Sequence, residues 1–378
     1  MRLLVVGHTY VTSFAQSKYV AMKSLNPDLE IRLVVPPAVK HSFGEYRATQ
    51  AVGLADGDLV VMRSIGGSSN MTYAHDPLAM SALMRQFNPT HVHIEEDPHS
   101  AVGVETVWLA KRLCPSAAVS FFTWDNLNRT PPFPRQLLKR GLTRFGFSRA
   151  DLIVCGNRQA QSLLSSKGYH GRSDVIPQIG LDGEGASRSQ GVRTHGGDAP
   201  EIGYFGRLVE EKGILDLLHA LDRLRDRPWR LTIRGEGPLR RDIATHWAQR
   251  LGDRLQILET VPHANVAGHL QQMDIFVLPS YSIPTWKEQF GLTLAQAMLA
   301  GCACIGSTCG AIPDVLDGHG IVFAERDVAQ LSEALRRLIA SPADRALMAA
   351  SGQRYAAARY TSEPIARRYL RAFEAISN

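Results

Sequence analysis

The sequence predicts an α/β protein made of two doubly wound, parallel-sheet domains. Its length of 378 residues exceeds what one hydrophobic core of ordinary size accommodates. Short apolar runs recur along the chain, and helix-like stretches separate most of them. This alternation is typical of parallel strands joined by crossover helices, so we expect one Rossmann-like sheet in each half of the chain.

The first half contains six apolar runs that we predict to be buried strands. They occupy residues 3–7, 31–35, 59–62, 91–94, 117–122 and 151–155, and helices are predicted at 18–22, 76–87 and 102–114. Polar clusters follow three of these runs, at residues 95–99, 123–128 and 156–158. Because the carboxyl ends of parallel strands meet at one edge of a sheet, we expect the three clusters to converge in one crevice. Residues 95–97 are equally compatible with a solvated acidic loop.

The composition is that of an ordinary globular protein, with 44% hydrophobic and 21% charged residues. No apolar run reaches the roughly 18 residues of a membrane-spanning helix, and the first apolar run is too short for a signal peptide, so we expect a cytoplasmic protein. Three of the five cysteines crowd together at Cys302, Cys304 and Cys309 without zinc-ligand spacing, which favours small buried residues. The net charge of +6 indicates an anionic partner, without distinguishing nucleotide sugars, phospholipid surfaces and nucleic acid.

The second half opens with a predicted strand that ends at Gly206, and Arg207 and Lys212 follow on a loop. A helix is predicted directly afterwards, over residues 214–224. Two cations at the carboxyl end of a strand suit a diphosphate, because Arg binds it as a fork and Lys as a point charge.

The second informative stretch begins at Glu288, which precedes a Phe-Gly turn at residues 290–291. An apolar helix follows the turn and ends at Gly301. The first N–H groups of a helix are unpaired and carry the positive end of its dipole, so residues 291–293 suit an anion such as a diphosphate. Glu288 would stand just outside that end, where it can accept hydrogen bonds from hydroxyls on the molecule that carries the anion.

Both stretches resemble the retaining glycosyltransferases of family four, which have the GT-B fold. That family carries Gly-Arg-Leu-x-x-x-Lys-Gly and a Glu, seven residues, Glu motif, and this chain matches them at residues 206–213 and from Glu288 onward. The resemblance implies two Rossmann-like domains that face a central cleft. It also implies transfer of a hexose from a nucleoside diphosphate sugar to a hydroxyl acceptor, which is a glycan, a lipid-linked molecule or a small molecule. No metal, no further cofactor and no nucleic acid are expected.

The resemblance also implies roles for individual residues. Glu288, Arg207 and Lys212 are expected to be catalytic, with the two cations stabilising the departing diphosphate. The expected donor-binding residues are Gly206, Gln289, Phe290, Gly291, Leu292, Thr293, Gln296 and Val261. The candidates for acceptor or sugar contacts are His8, Tyr10, Trp124 and Asp125. For His8 a solvated loop histidine is an equal alternative, and for Trp124 a structural wedge is the more common outcome.

Two positions depart from the family pattern. Gln296 stands where the family has its second Glu, which binds the ribose hydroxyls. A neutral amide still hydrogen-bonds a diol but lacks the strength of a carboxylate, so we expect weakened or altered nucleotide binding. Trp124, Asp125 and Asn126 stand where the family often has a His-Asp pair, so the role that the family gives to that His is not assigned to this chain.

The resemblance extends to the domain boundaries. Residues 174–182 resemble the family's crossing between domains, and residues 183–198, rich in Gly and Ser, predict a linker. We therefore expect an acceptor-binding domain at 1–183 and a nucleotide-sugar-binding domain at 199–361. A last helix at about 362–378 resembles the family's C-terminal helix, which crosses back onto the first domain.

Three alternatives stay open. The departures at Gln296 and Trp124 also suit a GT-B nucleotide-binding module with reduced or lost transferase activity. A nicotinamide or flavin enzyme would need a Gly-x-Gly-x-x-Gly turn, which neither strand end at Gly7 or Gly206 supplies. The segment 129–149 is basic and amphipathic, so it either lies on an anionic membrane, at the inner face, or is a surface helix with its apolar face in the core.

Overall fold

The computed structural model describes residues 1–41, 44–66, 72–129, 132–181 and 199–377. The chain divides into two compact units. Unit 1 comprises Met1–Leu181 and Thr361–Asn378, and unit 2 comprises Asp182–Tyr360. The predicted linker at 183–198 lies outside the described residues.

Unit 1 is built around a seven-stranded parallel sheet. The strands of unit 1, including those outside this sheet, are β1 (Arg2–Val6), β2 (Glu30–Val35), β3 (Ala38–His41), β4 (Gly44–Arg47), β5 (Leu59–Val61), β6 (Ser64–Gly66), β7 (Tyr73–His75), β8 (His91–Ile94), β9 (Ala118–Thr123), β10 (Leu152–Cys155) and β11 (Ser173–Val175). The strand order of the large sheet is β11-β10-β9-β8-β1-β2-β5, and β3–β4 and β6–β7 are separate antiparallel pairs. The order reverses between β1 and β8, which is the usual position of a ligand site in such sheets.

Helices cover both faces of this sheet. The first five helices are α1 (Ser17–Leu25), α2 (Pro77–Phe87), α3 (Ala101–Leu113), α4 (Arg135–Phe147) and α5 (Arg158–Ser166). Their starts follow ordinary capping rules: Asp76 accepts hydrogen bonds from the first N–H groups of α2, and Asn157 does so for α5. The four residues of β8 are all buried, as are the six of β9, which explains their continuous apolar sequence.

Unit 2 contains a six-stranded parallel sheet in the order β14-β13-β12-β15-β16-β17. Its strands are β12 (Glu201–Phe205), β13 (Arg230–Arg234), β14 (Leu255–Leu258), β15 (Ile275–Leu278), β16 (Ala303–Ser307) and β17 (Ile321–Phe323). Its helices are α6 (Ile214–Asp222), α7 (Arg240–Asp242), α8 (Ala248–Leu251), α9 (His263–Leu270), α10 (Leu292–Leu299), α11 (Ile312–Leu316), α12 (Val328–Ala340) and α13 (Pro342–Tyr360). The order reverses between β12 and β15.

The chain then returns to unit 1, where α14 (Ser362–Glu374) packs against α1. Ile365, Tyr369 and Phe373 of α14 are completely buried in the same core as Leu3 of β1. The last helix is therefore part of the core of unit 1. The predicted α/β class with two parallel sheets is confirmed.

Helix α4 buries only part of the apolar side chains of the basic segment. Phe145 and Phe147 pack against the core of unit 1, but Phe133, Leu137 and Leu138 are 77%, 57% and 64% exposed. Within the described parts of the chain, no helix is both long and apolar enough to cross a membrane.

Candidate functional site

The loop after β12 is held against the end of β15 by close backbone contacts. Gly213 has φ 69°, and a Cβ atom there would lie 1.9 Å from the carbonyl oxygen of Pro279. The amide of Tyr281 donates to the carbonyl of Glu211 at 2.9 Å. Only glycine fits this approach, so the loop that carries Lys212 has a fixed position beside the segment that follows β15.

Lys212 and Glu288 form an ion pair at this place. Lys212 Nζ lies 2.6 Å from Glu288 Oε2, and Ser280 donates its hydroxyl to the same oxygen at 3.3 Å. The ammonium also lies 4.6 Å from the ring centroid of Trp286. The side chains of Lys212 and Glu288 are 19% and 11% exposed, so the pair borders solvent.

The backbone of Glu288 is anchored from behind by the turn after β16. Its amide donates to Cys309 Sγ at 3.5 Å, and its carbonyl accepts from Ala311 at 3.0 Å. Gly310 has φ 56°, and a Cβ atom there would lie 2.0 Å from the carbonyl oxygen of Glu288. Burial raises the pKa of the Cys309 thiol, so this sulfur remains protonated at neutral pH. Cys309 and Gly310 therefore position Glu288, and the sequence alone did not indicate this role.

Helix α10 starts at the predicted place. Gly291 is its N-terminal cap, with φ 80° and ψ 54°, and a left-handed conformation of this kind favours glycine. Leu294, Ala295, Ala297, Met298 and Leu299 are buried. Leu292 and Thr293 in the first turn are half-buried. The turn residues Gln289 and Phe290 are also half-buried, and the Phe290 ring packs edge-on against Tyr360.

Arg207 is exposed and lies directly after the half-buried Gly206. Its carbonyl accepts the hydroxyl of the buried Tyr204 at 2.8 Å, which fixes its backbone. Among the described residues its guanidinium forms no ion pair with a carboxylate. Arg207 therefore presents a positive charge to solvent at the carboxyl end of β12.

Gln296 faces a neighbouring helix. Its Nε2 atom lies 3.4 Å from Nε2 of His263, the first residue of α9. Burial lowers the pKa of His263, so the ring is neutral at pH 7. Val261 is half-buried two residues before α9. The structure thus places Gln296 against the first residue of α9, and Val261 two residues before that helix.

In unit 1 the three predicted polar clusters do meet. The hydroxyl of Thr123 donates to Asp97 at 2.5 Å. The Trp124 ring lies on Gly156, where a Cβ atom would come within 1.9 Å of it, and its Nε1 donates to Gln178 at 2.7 Å. Trp124 is therefore wedged between strand ends, which agrees with the packing alternative.

The alternative that residues 95–97 form a solvated acidic loop is wrong. Glu95 and Glu96 are 2% and 6% exposed. Glu95 forms an ion pair with Lys18 of α1, and both side chains are completely buried. Burial alone would raise the pKa of Glu95, but the Lys18 ammonium and His93 hold it well below its usual range. Burial lowers the pKa of Lys18 to about 8.

The remaining candidates of unit 1 have defined partners. His8 Nδ1 lies 2.5 Å from Glu96 Oε1, so His8 is not a solvated loop residue. Asp125 forms an ion pair with Lys167 at 2.8 Å. Tyr10 is completely buried and packs edge-on against Tyr19, so it belongs to the core and an acceptor cannot reach its side chain without rearrangement. All five cysteines are buried thiols, and this agrees with the prediction for Cys302, Cys304 and Cys309. No cluster of three or more metal-ligating side chains occurs in the part of the chain that the structure describes.

Comparison with known proteins identifies the fold. Residues 199–341 match the model of the family described as glycosyl transferases group 1. The Anabaena protein HepE, solved in complex with UDP, superposes with a TM-score of 0.71 over 99% of this chain and 100% of that chain, at 15% identity. The chain has the GT-B fold. The predicted fold class is therefore confirmed, and the matched family segment contains Arg207, Lys212 and Glu288.

Curated relatives match the GT-B chain over part of its length. A glycogen synthase of Mycobacterium tuberculosis is 36% identical over 149 residues, which cover 38% of this chain and 34% of that protein. The 2-deoxystreptamine glucosyltransferase of Streptomyces kanamyceticus is 28% identical over 160 residues, which cover 40% and 39%. The chain thus spans about a third to two fifths of the length of these relatives.

Proposed function

We propose that this GT-B protein is a retaining glycosyltransferase that moves a hexose from a nucleoside diphosphate sugar to a hydroxyl acceptor. The observation that carries the proposal is the Lys212–Glu288 ion pair. The exposed Arg207 lies five residues before Lys212 in the chain, and Glu288 lies three residues before the N-terminal cap of α10. The family match over residues 199–341 and the UDP-bound structural neighbour support a nucleotide-sugar donor.

The cations are proposed to hold the diphosphate of the donor. Arg207 offers a planar fork of donors, and the unpaired N–H groups at the start of α10 add the positive end of a helix dipole. Lys212 would exchange its carboxylate partner for a phosphate oxygen, since its side chain borders solvent. These groups stabilise the negative charge that develops on the leaving diphosphate. No metal ion is needed in this scheme.

Glu288 is proposed to bind the sugar. Once Lys212 binds phosphate, the Glu288 carboxylate is proposed to accept hydrogen bonds from hexose hydroxyls in place of the ammonium, while Ser280 and the turn at Gly310 keep it in position. Holding the sugar and the acceptor together lowers the entropic part of the barrier. The acceptor is proposed to attack from the face that the diphosphate leaves, which retains the anomeric configuration.

A donor screen tests the proposal. We expect acceptor-dependent release of nucleoside diphosphate from one of the UDP-, GDP-, ADP- and dTDP-hexoses, with an α-linked product from an α-linked donor. The rate should not change when EDTA is added. Absence of both release and hydrolysis with every donor and a broad acceptor panel would contradict the proposal.

A GT-B nucleotide-binding module without transferase activity is the second candidate. It is favoured by Gln296, which contacts the neutral His263 and supplies no carboxylate. This candidate predicts that nucleoside diphosphate binding still requires Arg207 and Lys212. It also predicts that the protein transfers or hydrolyses the sugar of no nucleotide-sugar donor. Binding and turnover measured on the same preparation separate the two functions.

The exposed side of α4 is proposed to contact an anionic membrane surface from the cytoplasmic side. Phe133, Leu137 and Leu138 are exposed, and residues 126–150 contain six Arg or Lys and no acidic residue. Leu137→Ser/Leu138→Ser should reduce sedimentation with phosphatidylglycerol vesicles, whereas Leu78→Ser on α2, a residue 83% exposed, should not. Equal sedimentation of all three proteins would reject the contact.

A further inference from the structure

Unit 1 contains a cavity of about 780 Å³ between helix α4 and the turn that follows α5. Its wall consists of Asn128, Arg129, Gln136, Lys139, Arg140, Thr143, Arg144, Phe147, Ser148, Ala150, Ser166, Lys167, Gly168, Tyr169, His170 and Gly171. We call it the α4 cavity. None of the residues assigned to the donor lines it.

The α4 cavity is strongly basic. Its wall carries five Arg or Lys side chains and one His, and no acidic side chain. Neighbouring carboxylates compensate part of this charge, because Asp125 pairs with Lys167 at 2.8 Å and Asp97 lies close enough to attract Lys139. Within the described residues, Arg129, Arg140 and Arg144 form no ion pair. An anion is therefore the ligand that the wall can bind with the greatest gain.

The surroundings of Lys139 also favour a bound anion. Burial lowers the pKa of Lys139, and the nearby charges of Lys167 and Arg129 lower it further, against the opposing effects of Asp125 and Asp97. Its ammonium donates to the backbone carbonyl of Arg129 at 3.3 Å. A bound anion would relieve this repulsion between like charges.

The volume of the α4 cavity and the uncharged side chains of its wall indicate which kind of anion fits. A volume of about 780 Å³ is typical of pockets for whole small molecules, so it exceeds the needs of a single inorganic anion. Asn128, Gln136, Ser148 and Ser166 add amide and hydroxyl groups, which bind sugar-like hydroxyls. Arginine forks match the oxygens of phosphate.

We propose that the α4 cavity binds a phosphate-bearing polyol, a phosphomonoester or phosphodiester whose phosphate contacts Arg140 and Arg144. The phosphate belongs either to a soluble sugar phosphate or to a lipid headgroup.

Direct binding tests the cavity without any transfer assay. Glucose 6-phosphate and inorganic phosphate are titrated by calorimetry into the wild type and into Arg140→Ala/Arg144→Ala. Both arginines are exposed, so their removal should leave the fold intact. The control, Arg85→Ala/Arg112→Ala, removes two exposed arginines from α2 and α3. We expect the cavity variant to bind glucose 6-phosphate about 10- to 100-fold more weakly, and the control to bind it as the wild type does.

A second arm distinguishes the source of the phosphate. Vesicles of phosphatidylinositol in phosphatidylcholine are compared with soluble glucose 6-phosphate. Binding of the soluble ester assigns a soluble ligand, and arginine-dependent binding of the vesicles alone assigns a lipid headgroup. If the cavity variant and the control bind both probes equally, the inference is overturned.

A measurement of nucleoside diphosphate affinity distinguishes this inference from the proposed function. Arg140→Ala/Arg144→Ala should leave that affinity unchanged. Binding of a phosphate ester at the cavity, together with failure of every donor to turn over, would contradict the transferase proposal and leave the phosphate site standing.

Discussion

In each unit a lysine–glutamate pair lies at the point where the strand order of the sheet reverses, but the two pairs have different surroundings. In unit 1, Lys18 follows β1 and Glu95 follows the neighbouring β8, and both side chains are completely buried. In unit 2, Lys212 follows β12 and Glu288 follows the neighbouring β15, and the pair borders solvent.

The surroundings decide what each pair can do. Glu95 also accepts hydrogen bonds from Tyr19 at 2.7 Å and from Gln178 at 3.0 Å, and the Lys18 ammonium lies 4.0 Å from the ring centroid of Tyr369 on α14. These groups leave no room for an incoming anion, so the first pair is structural. The second pair is partly exposed, with 19% of the Lys212 side chain and 11% of the Glu288 side chain open to solvent, so its lysine can bind a ligand at a smaller desolvation cost than Lys18.

The largest expected effect is on stability, in unit 1. Lys18→Met should lower the free energy of unfolding by about 3–5 kcal/mol, because it leaves the Glu95 carboxylate buried without its cation. Lys212→Met should cost about 1 kcal/mol or less, since its partner borders solvent. Urea denaturation of both variants measures the difference. The double variant Lys18→Met/Glu95→Gln should recover part of the loss, and a loss equal to that of Lys18→Met alone would reject the charge argument.

The next effect is on binding, in unit 2. Arg207→Ala or Lys212→Ala should abolish transfer and weaken nucleoside diphosphate binding by about 1.5–3 kcal/mol, because one charge-assisted contact is lost. Calorimetry gives the affinities, and Arg241→Ala, an exposed arginine of α7, is the matched control. Unchanged diphosphate affinity in both site variants would reject the proposed binding site.

Glu288 should separate transfer from nucleotide binding. Glu288→Ala should lower kcat by about 100-fold or more, because the sugar loses its anchor. Affinity for the free nucleoside diphosphate should change little, since the variant leaves Lys212 available to phosphate. Steady-state kinetics and calorimetry on the same protein test this. Equal losses in both quantities would place Glu288 on the nucleotide instead.

The smallest effect is expected at Gln296. If Gln296 binds the ribose, Gln296→Glu should tighten nucleotide binding by about 1 kcal/mol, the difference between a neutral and a charged hydrogen bond. Titration of the uridine, guanosine, adenosine and thymidine diphosphates into both proteins provides the measurement. No tighter binding of any of them by the Glu variant would contradict the ribose assignment.

Much of the fold could be predicted from the sequence. Buried parallel strands are continuous apolar runs, so β1, β8 and β9 were predicted within one or two residues. The short β17 was not predicted, because three residues carry too little pattern. Helix α13 was not predicted, because its alanine-rich sequence contains few large apolar residues that would define an apolar face.

The ion pairs could not be predicted because they depend on which strands become neighbours. Lys18 and Glu95 are 77 residues apart, and the pair forms because β1 and β8 are adjacent. Lys212 and Glu288 were predicted as separate ligand groups, 76 residues apart, and their contact needs the adjacency of β12 and β15. The support of Glu288 by Cys309 and Gly310 likewise depends on where the turn after β16 folds back.

The exchange of partners by Lys212 is the central claim, and a crystal structure of the protein with a bound nucleoside diphosphate tests it most directly. The expected result is Lys212 Nζ within hydrogen-bond distance of a phosphate oxygen and no longer 2.6 Å from Glu288 Oε2, while Lys18 and Glu95 remain paired. A complex in which Lys212 keeps its contact with Glu288 and the diphosphate lies elsewhere would contradict the claim.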